Sequence, residues 1–369
     1  MTTTPQGGHA ALVESLHERG LLDDTWRGVW HDVPREYFTP RTVWRQGPAE
    51  CEPVTTEADR LALIHSDEPV IIQVDDGRPD GPCVATSANS QPSMVARMLS
   101  LLTVGPGVRV LEIGTATGYV AALLCRRLGD PLVFSVEIDP GLAQHAMAVL
   151  RSAGYRPNLA CADGARGWPG EAPFDRLVAT CALRRVPYEL VRQVAPGGVI
   201  VAPLAREFWT GALVRLGVHD DGTASGRFHG GASYMPMRSH RPLHAAAVDD
   251  TTVRRHRAQV PPTQLLTPGF AVYAGTRLPG VRLWHAERDG GAQVWAQDEA
   301  GSATTGEPDG DIWQYGARDL WREIEHAFHE YAALGRPALT DFGLTVTAES
   351  HRVWLHDPDG IIEPTASPA

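Results

Sequence analysis

One stretch constrains this chain more than any other: "VRVLEIGTATGYVAALL", residues 108–124. A mostly apolar run ends at Gly114, Gly118 follows four positions later, and an apolar helical pattern begins at Tyr119. A strand buried on both faces, a tight turn and a helix start, in that order, form one βα unit. Such a unit needs a parallel sheet with helices packed on it. The chain then repeats the pattern. It predicts a strand over 132–138, a helix over 142–153, and further strands at 176–180 and 199–203, the last after "PGG". The fold class is α/β with a mostly parallel sheet.

The flanks read differently. Residues 1–10 suggest a tail, and 11–22 a short amphipathic helix. A second helix runs through Trp30 to "VPREYFTP", where Pro34 and Pro40 break it. Residues 45–89 are rich in Pro, Gly and Asp, with one strand-like run at 70–74, and read as a long irregular binding stretch. "SQPSMVARMLSLL" opens a helix with Ser90 or Ser93 as its cap and Pro92 in its first turn. Antiparallel strands at 212–218 and 227–237 would close the sheet. Periodicity stops around 241–262, which predicts a domain over 1–240 and a smaller α+β module over 241–369. That module would hold strands at 270–274, 281–285 and 292–296, a helix over 318–334 and a hairpin at 344–347 and 352–355.

With 43% hydrophobic and 21% charged residues, the chain can bury a sizeable core. A net charge of −11 argues against a general nucleic-acid or anionic-membrane binder. The five cysteines (Cys51, Cys83, Cys125, Cys161 and Cys181) form no metal-binding spacing and suggest a reducing compartment. "MTTTPQGGHA" lacks a basic segment followed by an apolar one, and no apolar run approaches the roughly 18 residues of a membrane span. The expectation is a cytoplasmic protein.

The Gly turn implies a nucleotide-like cofactor. A dinucleotide fingerprint needs G-x-G-x-x-G; here the spacing is G-T-A-T-G, with Ala116 in the middle and no third Gly. S-adenosylmethionine carries no phosphate, and a shorter turn suffices for it. Glu137 ends the second strand, where an acidic side chain accepts from ribose hydroxyls. Asp163, in "CADGARG", follows the next strand-like stretch and would face the adenine amine. The residues expected to line the cofactor are Glu112, Gly114, Thr115, Ala116, Gly118, Glu137, Ile138, Asp163 and Gly164. No metal site is expected: His326 and His329 lie three apart, but no third ligand accompanies them.

With these residues in hand, the chain resembles the protein-L-isoaspartate O-methyltransferase family. The resemblance rests on "VPREYFTP" (33–40), "SQPSMVARML" (90–99), "VLEIGTATGY" (110–119), "VEIDP" (136–140), "DGARGWPGEAPFDRLVAT" (163–180) and "PGGVIVAPL" (196–204), in the family's order. It covers about 10–240 and implies a Rossmann-like class I methyltransferase that uses S-adenosyl-L-methionine. Ser90 matches the family's active-site serine. Ala116 and Val120 depart from the usual "GTGYN", and 65–89 is longer than in compact members. The extension after 240 resembles enlarged actinobacterial members, some of which methylate an aspartate in a ribosomally made peptide.

The reaction so implied is attack of a substrate carboxylate on a sulfonium methyl group. A carboxylate with a pKa near ~3.9 is already ionised at neutral pH and needs no general base. The ester would then collapse to a succinimide (aspartimide). The leading expectation is methylation of an aspartyl side chain in such a peptide, with general isoaspartyl repair as the alternative. An inactive peptide-binding module and an NAD-linked oxidoreductase are further readings. The partner is a peptide or protein bearing an aspartyl or isoaspartyl residue. Trp284, Trp295, Trp313, Trp321 and Trp354, half of the ten tryptophans, fall in the C-terminal module. They either pack its core, the favoured reading, or line a peptide-binding groove. Cys181 reads as a packing residue rather than a nucleophile.

Overall fold

The computed structural model describes residues 7–47, 50–206, 208, 211–241 and 246–365. Residues 1–6 of the expected tail and 242–245 of the expected boundary lie outside these. The chain clusters into two compact units. The first takes Met1–Cys181, Pro187–Ala202 and Gly217–Gly222; the second takes Ala182–Val186, Pro203–Leu216 and Thr223–Ala369. Set beside the boundary read at 240/241, the chain already enters the second unit twice before residue 223.

The first unit begins with α1 (Gly8–Glu18) and α2 (Asp24–Asp32). Leu12, Val13 and Leu16 of α1 are buried, as are Trp26, Val29 and Trp30 of α2. Asp23 caps α2 by accepting from the Trp26 amide at 2.7 Å. The stretch expected to be irregular is folded. It forms a four-stranded antiparallel sheet from β1 (Trp44–Gln46), β2 (Cys51–Pro53), β3 (Val70–Val74) and β4 (Ala85–Asn89), in the order β2-β1-β3-β4. Helix α3 (Glu57–Ile64) lies between β2 and β3 in the chain. Val43, Leu63, Ile64, Val70 and Ile72 share one apolar cluster, which gives these short strands a core. The β3–β4 connection is tied by Asp75, which accepts from the amides of Cys83 at 2.8 Å and Val84 at 3.0 Å.

Helix α4 (Pro92–Leu102) follows, with Pro92 in its first turn. Neither Ser90 nor Ser93 caps it. Gln91 is the N-cap and makes no capping bond; instead Asp67 accepts from the Ser93 amide at 2.8 Å. The parallel sheet then builds from β5 (Val110–Ile113), α5 (Tyr119–Leu128), β6 (Val133–Glu137), α6 (Pro140–Ser152), β7 (Asn158–Cys161), β8 (Phe174–Ala179), α7 (Tyr188–Val191) and β9 (Val194–Leu204). Its order is β9-β8-β5-β6-β7, every pair parallel. The chain moves outward from β5 to β7 and then returns to β8 on the other side of β5. That reversal opens a crevice at the carboxyl ends of the central strands, where α/β sheets bind ligands.

The second unit holds β10 (Ala212–Val218, up to Leu216), β11 (Ala224–Gly231), β12 (Val253–Arg257), α8 (Pro268–Arg277), β13 (Arg282–Arg288), β14 (Gly291–Gln297), β15 (Ala303–Gly306), β16 (Asp311–Tyr315), α9 (Leu320–Ala333), β17 (Phe342–Val346) and β18 (His351–Leu355). β17 pairs antiparallel with β11 and β18. A separate five-stranded antiparallel sheet runs β12-β16-β15-β14-β13. Residues 270–274, expected as a strand, lie in α8. Their β-prone composition is overridden by packing: Phe270, Tyr273 and Ala274 repeat at helical spacing and are buried. The Phe270 ring meets Phe328 of α9 at 5.2 Å and Tyr331 at 5.5 Å.

Candidate active site

The turn after β5 is held in a conformation that most side chains resist. Gly114, Ala116 and Gly118 all have positive φ, at 103°, 47° and 80°. A Cβ on Gly114 would stand 2.9 Å from Thr180 Oγ1, and one on Gly118 would stand 2.9 Å from Leu150 Cδ1. Both glycines are therefore dictated by space as well as by φ. Ala116 adopts the left-handed region at a cost of roughly 1–2 kcal/mol. Its amide is compensated by donating to Glu137 Oε2 at 2.8 Å.

Glu137 is buried at the end of β6, and its other oxygen accepts from the Asp139 amide at 3.0 Å. Each carboxylate oxygen thus spends one lone pair on backbone and keeps another for a ligand hydroxyl. The next residue, Ile138, is an exposed apolar side chain, 37% accessible, in a loop where burial would be its default. Asp163, just after β7, accepts from the Ala165 amide at 2.9 Å through Oδ1. Gly164 beside it is buried. Strand register brings these groups together: Ile113 pairs with Val136, and Glu137 with Cys161. The turn, Glu137–Ile138 and Asp163 therefore sit side by side at the carboxyl ends of β5, β6 and β7.

Glu112 occupies a different place from the other cofactor candidates. It is fully buried within β5, accepting from Ser135 Oγ at 2.6 Å, and Ser135 Oγ lies 2.6 Å from Thr115 Oγ1. Glu112 reaches the turn through this hydroxyl chain. Its Oε1 has no partner among the described residues. Burial pushes its carboxyl up to about 8, with Ser135 opposing the shift and Glu137 adding to it.

Ser90 lies between β4 and α4, half-buried. Its hydroxyl makes no hydrogen bond to a described residue, whereas its carbonyl accepts from Arg35 Nη2 at 3.0 Å. Arg35, from "VPREYF", is fully buried and makes no ion pair with a described residue. Its guanidinium donates to the carbonyls of Ile64 (2.9 Å), Glu68 (2.9 Å) and Asn89 (2.9 Å), and to Asn89 Oδ1 (3.2 Å). Burial lowers it to about 10, which leaves it charged at neutral pH. The motif containing Arg35 was visible in the sequence, but not its task of fixing the backbone that carries Ser90. A second link was not visible either: Gln73 of β3 donates to Asp139, the N-cap of α6, at 3.0 Å. It ties the small sheet to the loop after Glu137.

These residues fit S-adenosylmethionine. They offer carboxylate acceptors, an exposed aliphatic face and a Gly turn. The side chains at 112–118, 137–138 and 163–164 include no cation to neutralise a pyrophosphate. Cys181, whose Sγ lies 3.9 Å from the Ile113 carbonyl, is pushed up to about 12 by burial and stays a thiol at neutral pH. His326 lies beside Glu330 at 3.4 Å. No cluster of three or more metal-ligating side chains occurs among the described residues, nor is any described helix long and apolar enough to cross a membrane.

Known proteins place the chain in a family. The chain is 42% identical over 195 residues to the protein-L-isoaspartate O-methyltransferase of Gloeobacter violaceus, covering 53% of this chain and 80% of that protein. It is 34% identical over 228 residues to that of Thermococcus onnurineus, covering 61% and 90%. The match to protein-L-isoaspartate O-methyltransferase 1 of Cupriavidus necator, 43% identical over 140 residues, spans about half (53%) of that protein and 37% of this chain. A solved structure of a protein-L-isoaspartate O-methyltransferase superposes over 94% of this chain and 99% of its own, with a TM-score of 0.56 and 19% identity. The fold is that of class I S-adenosylmethionine-dependent methyltransferases. The family model for protein-L-isoaspartate(D-aspartate) O-methyltransferase matches residues 7–241, and the chain belongs to that family.

Proposed function

We propose that this protein methylates the free carboxylate of isoaspartyl residues in peptides and proteins. Membership of the family makes it an S-adenosylmethionine-dependent carboxyl O-methyltransferase; the acceptor is the further step. The observation that carries this reading is the division of labour around Ser90. Its backbone is clamped by Arg35 while its hydroxyl is left free to donate to an incoming carboxylate or its peptide frame.

Bound S-adenosylmethionine supplies an electrophilic methyl group. Glu137 and Asp163 hold the adenosyl portion through acceptor lone pairs that the protein leaves open, and Ile138 covers the base. The Gly114–Gly118 turn lets backbone approach where a side chain would collide. No group in the site must remove a proton, because the nucleophile is already a carboxylate at neutral pH. Catalysis then rests on alignment and exclusion of water. The methyl ester makes the carbonyl a better target for the following backbone amide, whose nitrogen closes on it and expels methanol to give the succinimide without a further catalytic group.

Selective methylation of one aspartyl side chain in a ribosomally made peptide, the leading expectation from the extension, gains no separate support. The fold of a solved isoaspartate methyltransferase already extends over 94% of this chain, so an extension does not by itself mark peptide tailoring. The test is to incubate the enzyme and methyl donor with a synthetic isoaspartyl peptide and follow its isomers by chromatography. Conversion through succinimide to the aspartyl form is expected; an isoaspartyl peptide left unchanged overturns the proposal.

A further inference from the structure

The five tryptophans of the C-terminal region separate into two sets. Trp321 and Trp354 are core residues: each is buried, its indole N–H donating to Glu325 at 2.9 Å and to Thr345 at 3.1 Å respectively. The other three are aligned by strand register on the opposite face of the five-stranded sheet. Trp284 pairs with Trp295, Trp295 with Thr305, Thr305 with Trp313, and Trp313 with Arg255. The result is one unbroken lateral row across all five strands. Residues one position away, such as Val294 and Ile312, point to the core. The row faces outward, with Trp284 43% exposed.

Its chemistry is one-sided. None of the three indole N–H groups donates to a described residue. Arg255, Arg257, Arg282 and Arg288 lie on the same face by alternation, against Asp311 within the strands and Glu307 just after β15, whose Oε1 accepts from Gln293 Nε2 at 2.6 Å. Asp311 is engaged by both Arg255 and Arg257. Arg288 donates only to the neutral Gln293, at 3.0 Å, and Arg282 makes no side-chain hydrogen bond or ion pair to a described residue. This donor-rich, cationic face belongs to a chain of net charge −11. It complements a partner rich in acceptors and negative charge.

Ring orientation narrows the class. Trp284 and Trp295 stack on each other at 6.4 Å with 13° between their planes, and Arg288 lies over Trp295 at 5.9 Å. Arg255 covers Trp313 at 5.1 Å. The rings stand with faces turned to one another and to guanidinium groups. The facing sides of Trp284 and Trp295 are thus taken by each other, and guanidinium groups lie over Trp295 and Trp313, where a base would otherwise stack. The three indole N–H groups, unused among the described residues, and the Arg282 and Arg288 guanidinium groups suit backbone carbonyls and carboxylates.

We propose that this face is a docking surface for an acidic stretch of the polypeptide substrate, outside the residue that is methylated. The proposal rests on the isoaspartyl-methylation reading for its substrate. A second point of attachment raises the effective concentration of acceptor at the first. It would bias the enzyme toward damaged sites flanked by Asp and Glu.

The probes are two synthetic isoaspartyl peptides, one with a flanking run of glutamates and one with lysines in their place. The doubly substituted variant Arg282→Ala, Arg288→Ala is expected to raise KM for the glutamate peptide about tenfold, corresponding to roughly 1.4 kcal/mol. Its kcat, and KM for the lysine peptide, should be unchanged. Equal KM changes for both peptides, or none, overturn the proposal. A binding experiment separates this from the activity. The wild-type protein's tryptophan fluorescence is titrated with the glutamate peptide carrying ordinary aspartate, at low and high salt. Saturable quenching that weakens with salt supports docking even if no methylation is seen. Absence of quenching, or quenching only by an oligothymidylate of matched charge, overturns docking even if methylation is efficient.

Discussion

Arg35 holds Ser90 by its backbone: the guanidinium Nη2 donates to the Ser90 carbonyl at 3.0 Å, and a further bond reaches the adjacent Asn89 carbonyl at 2.9 Å. A buried charge satisfied by neutral oxygens is costly to keep and costlier to remove. Arg35→Ala strips several buried carbonyls of their donor at once and should destabilise the protein by about 4 kcal/mol or more, at the upper end for single substitutions. Arg35→Lys keeps the charge but loses the planar fork, and should still cost about 2 kcal/mol. Denaturant titration checks both; a loss below about 1 kcal/mol for the alanine variant would show that Arg35 does not organise this segment.

Glu137 serves the fold and the cofactor together, because its oxygens hold the Ala116 and Asp139 amides. Glu137→Gln puts an NH2 group against one of these donors and removes the charge from the ribose contact. S-adenosylmethionine affinity should fall about tenfold or more, with a lowered melting temperature. Calorimetry showing unchanged affinity would displace the cofactor from this strand end.

Ala116 is left-handed at φ 47°, while the other two positive-φ positions of the turn, Gly114 and Gly118, are glycines. Ala116→Gly should stabilise the protein by about 1 kcal/mol, because glycine adopts this region freely, less what the unfolded chain gains in freedom. Thermal denaturation that shows the variant less stable than the parent would mean that packing of the methyl group outweighs the backbone strain.

Glu112 gives the stability a pH dependence of stated sign. Its folded pKa is raised to about 8 from the usual carboxylate value, chiefly by burial. Between these values the native state binds a proton that the unfolded state has lost, so this contribution falls as pH rises from about 4.5 to 8. Glu112→Gln is an uncharged mimic of the protonated form. It should remove that decline, so the variant gains on the parent from pH 5.5 to 8.5 in denaturant titrations. Parallel curves for the two proteins would place an ionised carboxylate at this position.

The site was more legible than the parts that support it, for reasons that differ residue by residue. Gly114, Gly118 and Glu137 announce themselves because a strand end, a turn and an acidic side chain recur at fixed intervals along one segment. Arg35 does not, because its partners are mostly backbone carbonyls, which no sequence displays. The small sheet over 44–89 does not show in the sequence, since β1 and β2 are three residues each, too short for an alternation to register. Phe270–Ala274 has the side chains of a strand and folds as helix because Phe328 and Tyr331 receive it. Ser90 looked like a helix cap by position, but Asp67, 26 residues before Ser93, supplies that bond.

Ser90 is proposed to meet an isoaspartyl carboxylate. The most direct test of this proposal is the initial rate of base-labile methyl ester formation on two peptides of one sequence, differing only in whether one residue is isoaspartyl or aspartyl, with wild type and Ser90→Ala measured side by side. The wild type is expected to methylate the isoaspartyl isomer efficiently and the aspartyl isomer little, and Ser90→Ala to lower kcat with S-adenosylmethionine affinity retained. Preference for the aspartyl isomer, or an unchanged kcat in Ser90→Ala, would contradict the proposal.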